Sequence, residues 1–437
     1  MNIKLYLSII FLWLYGFTHA QSFDPALAST MQNKIDSIRA ANNVKGISAG
    51  VFYPGMGAWQ GVSGISHPGM PITPDMEFAI ASNTKLFTAV LLLKLAENNI
   101  INIDDSLYHY LPPFNNIDTN ITIRQLLNHT SGLDDVISVP GYPDSVLSNP
   151  YRVYTAAELM TWAGPPAFAP GTGWEYCNTN YLLAGMIAES ATGMPYGQLL
   201  RDSILTPLQL DSTFLDVYDS VLYTIAHPWQ GGMDNNATPR IAMNSAAGAA
   251  GAMYSTSGEM LQWYNALMNG QVLNANSINE MTTFVGTGNY GMGISEAIIA
   301  GRTVWLHGGL IWGGYNSSMM YDTATGIIVC VLTNQLPATA FQIAVQLLVA
   351  SANSTVGINE NPAMPDPVTI HPNPASDLVH VRITDQKPRV ISVIQPSGQV
   401  MMKSTEAIFS ISALPGGLYH VIVETDKGIF VKKLIKQ

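Results

Sequence analysis

Charge is scarce in this 437-residue sequence: Asp, Glu, Lys and Arg make up 11% of it, against roughly 25% in typical soluble domains. That excludes a coiled coil and an acidic tail, and leaves Asn, Ser, Thr and Gly to supply most of the polar surface. With 47% hydrophobic residues, the chain is not disordered as a whole. Basic residues are the scarcer sign, 19 against 30 acidic, and the net charge of −11 would repel phosphate backbones, so no nucleic-acid partner is expected. Cysteine is nearly missing. Cys177 and Cys330 make neither a disulfide framework nor a Cys-rich zinc site, and their spacing does not say whether they bridge. Long apolar runs are missing except at the N-terminus, where Lys4 precedes the mostly apolar Leu5 to Phe17 and then Thr18-His19-Ala20. That run falls short of the ~20 residues a helix needs to cross a bilayer, and small residues stand where a signal peptidase reads. Residues 1–20 are therefore expected to be a signal peptide rather than an anchor. The next closest run, Val90 to Leu93, lies between Lys85 and Lys94 and reads as a buried helix, so no stable membrane span is expected after signal removal.

Proline marks where the chain changes character. Asn361 to Pro367 holds three prolines, which forbids a helix and makes residues 353–366 a linker. From residue 367 onward there are eight Lys and Arg against five Asp and Glu; before it there are eleven against 25. Residues 367–437 alternate polar and apolar positions in short runs, Leu378 to Ile383, Arg389 to Ile394, Tyr419 to Val423 and Ile429 to Leu434, separated by glycine turns. A small all-β, immunoglobulin-like sandwich follows.

Residues 21–352 read differently. Helical periodicity over Ala26 to Ala41 leads into two strand-like runs, Ile47 to Tyr53 and Ala58 to Ile65, and then a long, mainly helical stretch. Thr303 to Leu306, Tyr315 to Tyr321 and Ile327 to Thr333 read as strands, and Phe341 to Ala350 as a closing helix. The spacing predicts an α+β domain in which early and late strands pair into one antiparallel sheet flanked by helices, with a helical insert beside it.

Within that insert, Ser82-Asn-Thr-Lys85 opens a helical run to about Glu97, with Ser82 expected as first residue or N-cap. Ser82 and Lys85 share a helix face, so a nucleophile lies beside a base, and backbone N–H groups at a helix start can receive an oxyanion. An alcohol reacts at neutral pH only if something takes its proton, and an ammonium can do so only if burial lowers its pKa from about 10.4. Alone, the pattern is better read as a cap with a surface lysine. Two further signals follow in order: Tyr176-Cys177-Asn178 before a helical run, 94 residues on, and His307-Gly308-Gly309 after a strand, 131 residues later.

Together these motifs resemble the serine β-lactamase and penicillin-binding protein superfamily: class C β-lactamases, D-alanyl-D-alanine carboxypeptidases and related esterases. Leu126 to Leu133, Pro170 to Asn178 and Ala246 to Thr256 look similar as well. The resemblance implies that Ser82 becomes acylated, that Lys85 and Tyr176 share the proton work, and that Asn178 orients Lys85 and the substrate amide. It also implies that His307 steers protons or a substrate anion, that the N–H groups of Ser82 and Leu310 form the oxyanion hole, and that Gly308 and Gly309 line the substrate site. Whether Lys85 or Tyr176 is the base stays open. No metal or organic cofactor is implied. His371 to Ala375, Gly417-Leu-Tyr419 and Lys432 to Lys436 resemble the C-terminal sorting domain of the type IX secretion apparatus, which would be a partner and would deliver the protein to the cell surface or medium.

Two departures bear on the substrate. Relatives that grip a substrate carboxylate present hydroxyls around the third motif, where this sequence has Gly308 and Leu310. Cys177, where Ser is usual, reads as a small residue rather than a second nucleophile, and His129 as structural. Trp59 reads as core; Trp174, Trp305 and Trp312 are candidates for a cleft wall. The expected function is an exported serine hydrolase of carboxypeptidase or related peptidase type acting on a small peptide or ester. A cell-surface esterase is the alternative, and a binding module with a vestigial site the reading from another class.

Overall fold

The computed structural model describes residues 23–139, 141–311, 313–337, 339–354, 368–383, 387–395, 400–425 and 428–437. The expected signal peptide, most of the expected linker and Trp312 lie outside them. Among the described residues no helix is long and apolar enough to cross a membrane.

The first helix, α1 (Pro25–Asn42), starts where Asp24 caps the Leu27 N–H and Pro25 pre-sets φ, and ends at Asn43 in the left-handed region. Its Leu27, Met31 and Ile35, four residues apart, are buried on one stripe. Strands β1 (Gly46–Tyr53), β2 (Gly57–His67) and β3 (Met70–Pro71) follow. The late strands are β4 (Ser295–Ile299), β5 (Arg302–Ile311), β6 (Tyr315–Asp322) and β7 (Ile328–Thr333). All seven form one sheet in the order β3-β2-β1-β7-β6-β5-β4. Early and late strands thus meet at its centre, where β1 pairs antiparallel with β7 from Ile47↔Thr333 to Phe52↔Ile328.

Strand alternation splits the core in two. Ile47, Ala49 and Val51 point to the face covered by α1 and by the closing helix, Ala340–Ser354. Their neighbours point the other way: Ser48 bonds the Ser257 hydroxyl, and Gly50 has no room for a Cβ, which would fall 2.7 Å from Leu261. The helix over that face therefore sits close to the strand. Beyond it lies the insert, built around α2 (Thr84–Glu97), which buries eleven side chains on all sides rather than on one stripe. Helices α3 (Asn178–Thr192) and α4 (Ile241–Gly251) pack against it.

The C-terminal strands form two antiparallel sheets, of three and four strands, around Val379, Val381, Ile391, Val393, Val421 and Leu434. The opposite face of the larger sheet, with Ile394, Val400, Ile422 and Val431, joins the core beneath the closing helix, and His420 stands 5.3 Å from Phe341.

Candidate active site

Ser82 is neither the cap nor the first residue of α2. It sits in a 3₁₀ turn, Ala81–Asn83, that runs straight into the helix. Ala81 is responsible: its φ of 49° is a left-handed conformation that an alanine holds only when the surroundings impose it. The surroundings are β5 and β6. Ser317 donates to the Ile80 carbonyl at 2.7 Å and accepts from Asn83 Nδ2 at 2.9 Å. Gly309, opposite Ser317, lets β5 lie against this turn, since a Cβ there would fall 2.2 Å from the Ile80 oxygen. Gly309 therefore supports the serine from beneath, and neither it nor Gly308 lines the cavity above.

Lys85 is fully buried, the second residue of α2. Its Nζ contacts Ser82 Oγ at 3.2 Å, donates to Asn178 Oδ1 at 2.7 Å and donates to the Ala250 carbonyl at 2.8 Å. The rings of Tyr176 and Tyr181 lie 5.0 and 5.5 Å away. Burial lowers the Lys85 pKa to about 7, with Asp135 and Cys177 pulling against it.

Tyr176 brings its hydroxyl toward Ser82, a contact that favours the phenolate, but burial dominates and drives its pKa far above the ordinary value. The hydroxyl itself is buried with no partner of good hydrogen-bond geometry. Asn178 opens α3, and Asp135 holds it twice: Oδ1 accepts the Asn178 N–H at 3.2 Å and Oδ2 accepts from Nδ2 at 2.9 Å. A carboxylate at a helix N-terminus also suits the helix dipole. His129 Nδ1 accepts from the Cys177 N–H and from Asn180 Nδ2, so this neutral, buried imidazole ties down the turn that carries Tyr176 and Asn178.

His307 is buried as well. Its Nδ1–H donates to the Gly308 carbonyl and its Nε2 accepts from the Tyr290 hydroxyl at 2.8 Å, while burial and the Lys85 charge lower its pKa to about 3. It offers no positive charge to a substrate anion at neutral pH. Its ring stands 6.3 Å from that of Tyr176.

Above Ser82 lies a cavity of about 210 Å³ whose walls include Asn178, Met243, Ala250, Leu310 and Ile311. Among the described residues no charged side chain lines it. Leu310 is 40% exposed and shares this cavity with Ser82, whereas Trp174 and Trp305 are spent elsewhere, on the Asn128 carbonyl and on Glu296. Trp59 is buried in the core beside α1. Met243 and Ile311 are shared with a second cavity of about 350 Å³, walled by Gln230, Asn235, Asn244 and Arg240. The Arg240 guanidinium is engaged by Asp216 at 2.7 Å. Cys177 and Cys330 are both buried free thiols. Among the described residues no cluster of His, Cys, Asp and Glu is placed to hold a metal ion.

Sequence reasoning missed Asp135, Tyr290, Ser317 and the Ala250 carbonyl. Asp135 left a faint signal, because it directly follows the Leu126 to Leu133 stretch and its neighbour Asp134.

Comparison with known proteins places this geometry. Residues 31–353 match the Beta-lactamase family, and residues 369–437 match the secretion system C-terminal sorting domain. Penicillin-binding protein 4 of Amycolatopsis lactamdurans is 26% identical over 337 residues, covering 71% of this chain and 86% of its own. Protein flp of Staphylococcus aureus is 34% identical, but only over 145 residues, 32% of this chain and 28% of flp, so the match spans under a third of that relative. Among solved structures, the D-stereospecific amidohydrolase from a Streptomyces species is 31% identical with a TM-score of 0.65, covering 73% of this chain and 97% of its own. The D-amino acid amidase from Ochrobactrum anthropi SV3, in complex with L-phenylalanine amide, is 27% identical with a TM-score of 0.68, over 76% and 99%. The sorting domain directs type IX secretion to the cell surface or medium. The chain belongs to the beta-lactamase family of serine acyl-enzyme hydrolases and carries a secretion sorting domain behind that fold.

Proposed function

We propose that the protein is an exported hydrolase of amides and esters that works through an acyl-enzyme on Ser82. The observation that carries this reading is the environment of Lys85 Nζ. Asn178 Oδ1 and the Ala250 carbonyl can only accept, so they occupy two N–H bonds. The remaining position faces Ser82 Oγ: a lone pair when the amine is neutral, a third N–H when it is charged. With its pKa near 7, both states are within reach at neutral pH. Lys85 is thus the base, and Tyr176, held protonated by burial, is a hydrogen-bond donor.

In the reaction Ser82 Oγ adds to the carbonyl carbon as its proton passes to Lys85 Nζ. The N–H groups of Ser82 and Leu310 receive the oxyanion. Lys85 returns the proton to the departing amine or alcohol, and water then repeats the addition to release the acid. His307 and Tyr290, hydrogen-bonded to each other, are buried beside Tyr176 and do not line the cavity.

The nearest named activity is D-alanyl-D-alanine carboxypeptidase, with a cell-surface esterase as the alternative. A cavity wall without charge favours a substrate whose departing end has no carboxylate, an ester or an amide, and the amidase likeness agrees with the latter. Type IX delivery carries the enzyme away from the cell's own peptidoglycan, which points to foreign peptides or esters.

Fluorophosphonate labelling of the purified protein tests the chemistry: label on Ser82, lost in Ser82→Ala, is expected, and absence of label would mean a binding module. Turnover should rank p-nitrophenyl esters and amino-acid amides above a D-alanyl-D-alanine peptide, and that above nitrocefin. Fast nitrocefin hydrolysis without esterase activity would overturn the substrate reading.

A further inference from the structure

We infer that Asp135 is a positioning residue of this site, holding the Asn178 amide in the single orientation that presents an acceptor to Lys85. The inference rests on the Ser82–Lys85 chemistry proposed above. Asp135 sits at the start of a 3₁₀ turn, Val136–Ser138, far in sequence from the three motifs. Its Oδ1 accepts from the backbone N–H of Ile137 and of Asn178; its Oδ2 accepts from Ser138 Oγ and Asn178 Nδ2. One carboxylate thus joins its own turn to the first residue of α3.

The chemistry of the amide makes this directional. An ionised carboxylate has no proton to give, so Asn178 must turn its NH₂ toward Asp135 and its carbonyl toward Lys85. Reversed, the amide would set a donor against the two or three N–H bonds of Lys85 Nζ, and the amine would lose one of the two acceptors that aim its remaining position at Ser82. Burial raises the pKa of Asp135, but the donors that converge on its oxygens and the Lys85 charge favour the carboxylate, so Asp135 also brings a negative charge to a site otherwise formed by neutral groups. Tyr176, Cys177 and Tyr181 on or before α3, His129 from the preceding loop and His307 from β5 are the other titratable side chains facing Lys85. Burial keeps the two histidines neutral and the tyrosines and thiol protonated. Removing the carboxylate therefore acts on two observables, the aim of the amine and the ease of charging it.

The test compares wild type, Asp135→Asn and Asp135→Glu in the full chain, by p-nitrophenyl ester kinetics across pH and by the rate of fluorophosphonate labelling. Asp135→Asn is expected to lower kcat and the labelling rate about 100-fold with little change in KM. It should also move the acidic limb of kcat/KM to lower pH, because Lys85 then loses its proton more readily. Asp135→Glu keeps an acceptor-only carboxylate and should label within about tenfold of wild type. In an Asn178→Ala background, Asp135→Asn should slow labelling no further. A folded Asp135→Asn protein with wild-type kcat, or with lower kcat but an unmoved limb, overturns the inference. If Asp135→Asn does not fold, labelling of Asp135→Glu at the Ser82→Ala background level overturns it. Should wild type itself fail to label on Ser82, the proposed chemistry fails first, and the two failures are distinguishable.

Discussion

Ala250 gives its main-chain carbonyl oxygen to Lys85 Nζ at 2.8 Å. That oxygen lies in the last turn of α4, beyond Gly248, where φ of 41° and ψ of −132° break the helix. Carbonyls in a last turn lack helical partners, and this one is spent on a side chain from another helix. Thr88, one turn after Lys85, takes the neighbouring Ala249 carbonyl in the same way at 2.6 Å. A broken helix end thus supplies one of the two neutral acceptors, beside Asn178 Oδ1, that let an amine be buried without a paired carboxylate in direct contact.

The first prediction concerns pH. Ester kcat/KM should rise with pH through about 7 as Lys85 loses its proton, and should be flat in that range if Lys85 stays charged. Stability should follow the same proton. In the unfolded chain Lys85 keeps its proton up to about pH 10.5, while in the folded protein it is lost near 7. Between those values the unfolded state binds more protons, so folding gains stability as pH rises, by at most about 1.4 kcal/mol per pH unit, and loses that gain as pH falls through 7. Urea titrations from pH 7 to 9 should show wild type gaining stability relative to Lys85→Met.

A second prediction follows from the contact under the serine. Gly309→Ala would place a Cβ 2.2 Å from the Ile80 oxygen and 2.4 Å from Ser317 Oγ, two atoms already bonded to each other. Backbone must move, and Ala81, already at positive φ, is the residue next to it. The substitution should cost about 1–3 kcal/mol in thermal stability and slow fluorophosphonate labelling. Normal labelling in a destabilised protein would show that the serine turn does not depend on β5.

These two cases show what the sequence could and could not carry. Ser82, Lys85, Tyr176 and Asn178 are legible because their side chains have distinct chemistry and fall on recognisable local patterns, and the structure brings them together. Ala250 is invisible, because a main-chain carbonyl has no residue identity. Asp135 depends on meeting Asn178, 43 residues later, and no local pattern announces that. The fold behaves alike. Turn residues bound the runs of β1, β6 and β7 (Pro54-Gly55 after β1, Asp322 to Gly326 between β6 and β7), whereas β5 continues from the expected Thr303 to Leu306 through two glycines of poor strand propensity to Ile311. Close packing of Gly309 on Ile80 and Ala81 keeps that glycine in the strand. The left-handed Ala81 likewise comes from packing, which is why Ser82 reads as a cap and is found in a 3₁₀ turn.

The cysteines give a third prediction. Cys177 stands between two motif residues, yet its Sγ donates to the Asp134 carbonyl and burial pushes its pKa well up, as it does for Cys330. Neither thiol is an available nucleophile at neutral pH. Iodoacetamide should leave the native protein unmodified by intact mass at pH 7. Cys177→Ser, which keeps a donor for Asp134, should retain Ser82 labelling at a cost of about 1 kcal/mol in stability. Thiol modification in parallel with loss of activity would contradict this.

The last prediction tests the uncharged wall with matched substrates. A D-alanyl-D-alanine peptide and its C-terminal amide differ only in whether the departing residue carries a carboxylate. Leaving that anion unpaired in a desolvated cavity costs about 1–3 kcal/mol even when water remains close, so the amide should be cleaved about tenfold faster or more by kcat/KM. The Arg240 guanidinium, in the wall of the adjoining cavity, is engaged by Asp216 and does not reverse that order. Leu310, 40% exposed on the rim, is the place to supply a cation. Leu310→Lys keeps the backbone N–H proposed for the oxyanion and should narrow the amide-to-acid ratio, with the improvement falling on the acid and fading in high salt. A wild-type enzyme that prefers the free acid, or a ratio unmoved in Leu310→Lys, would mean that the substrate's departing end does not pass Leu310.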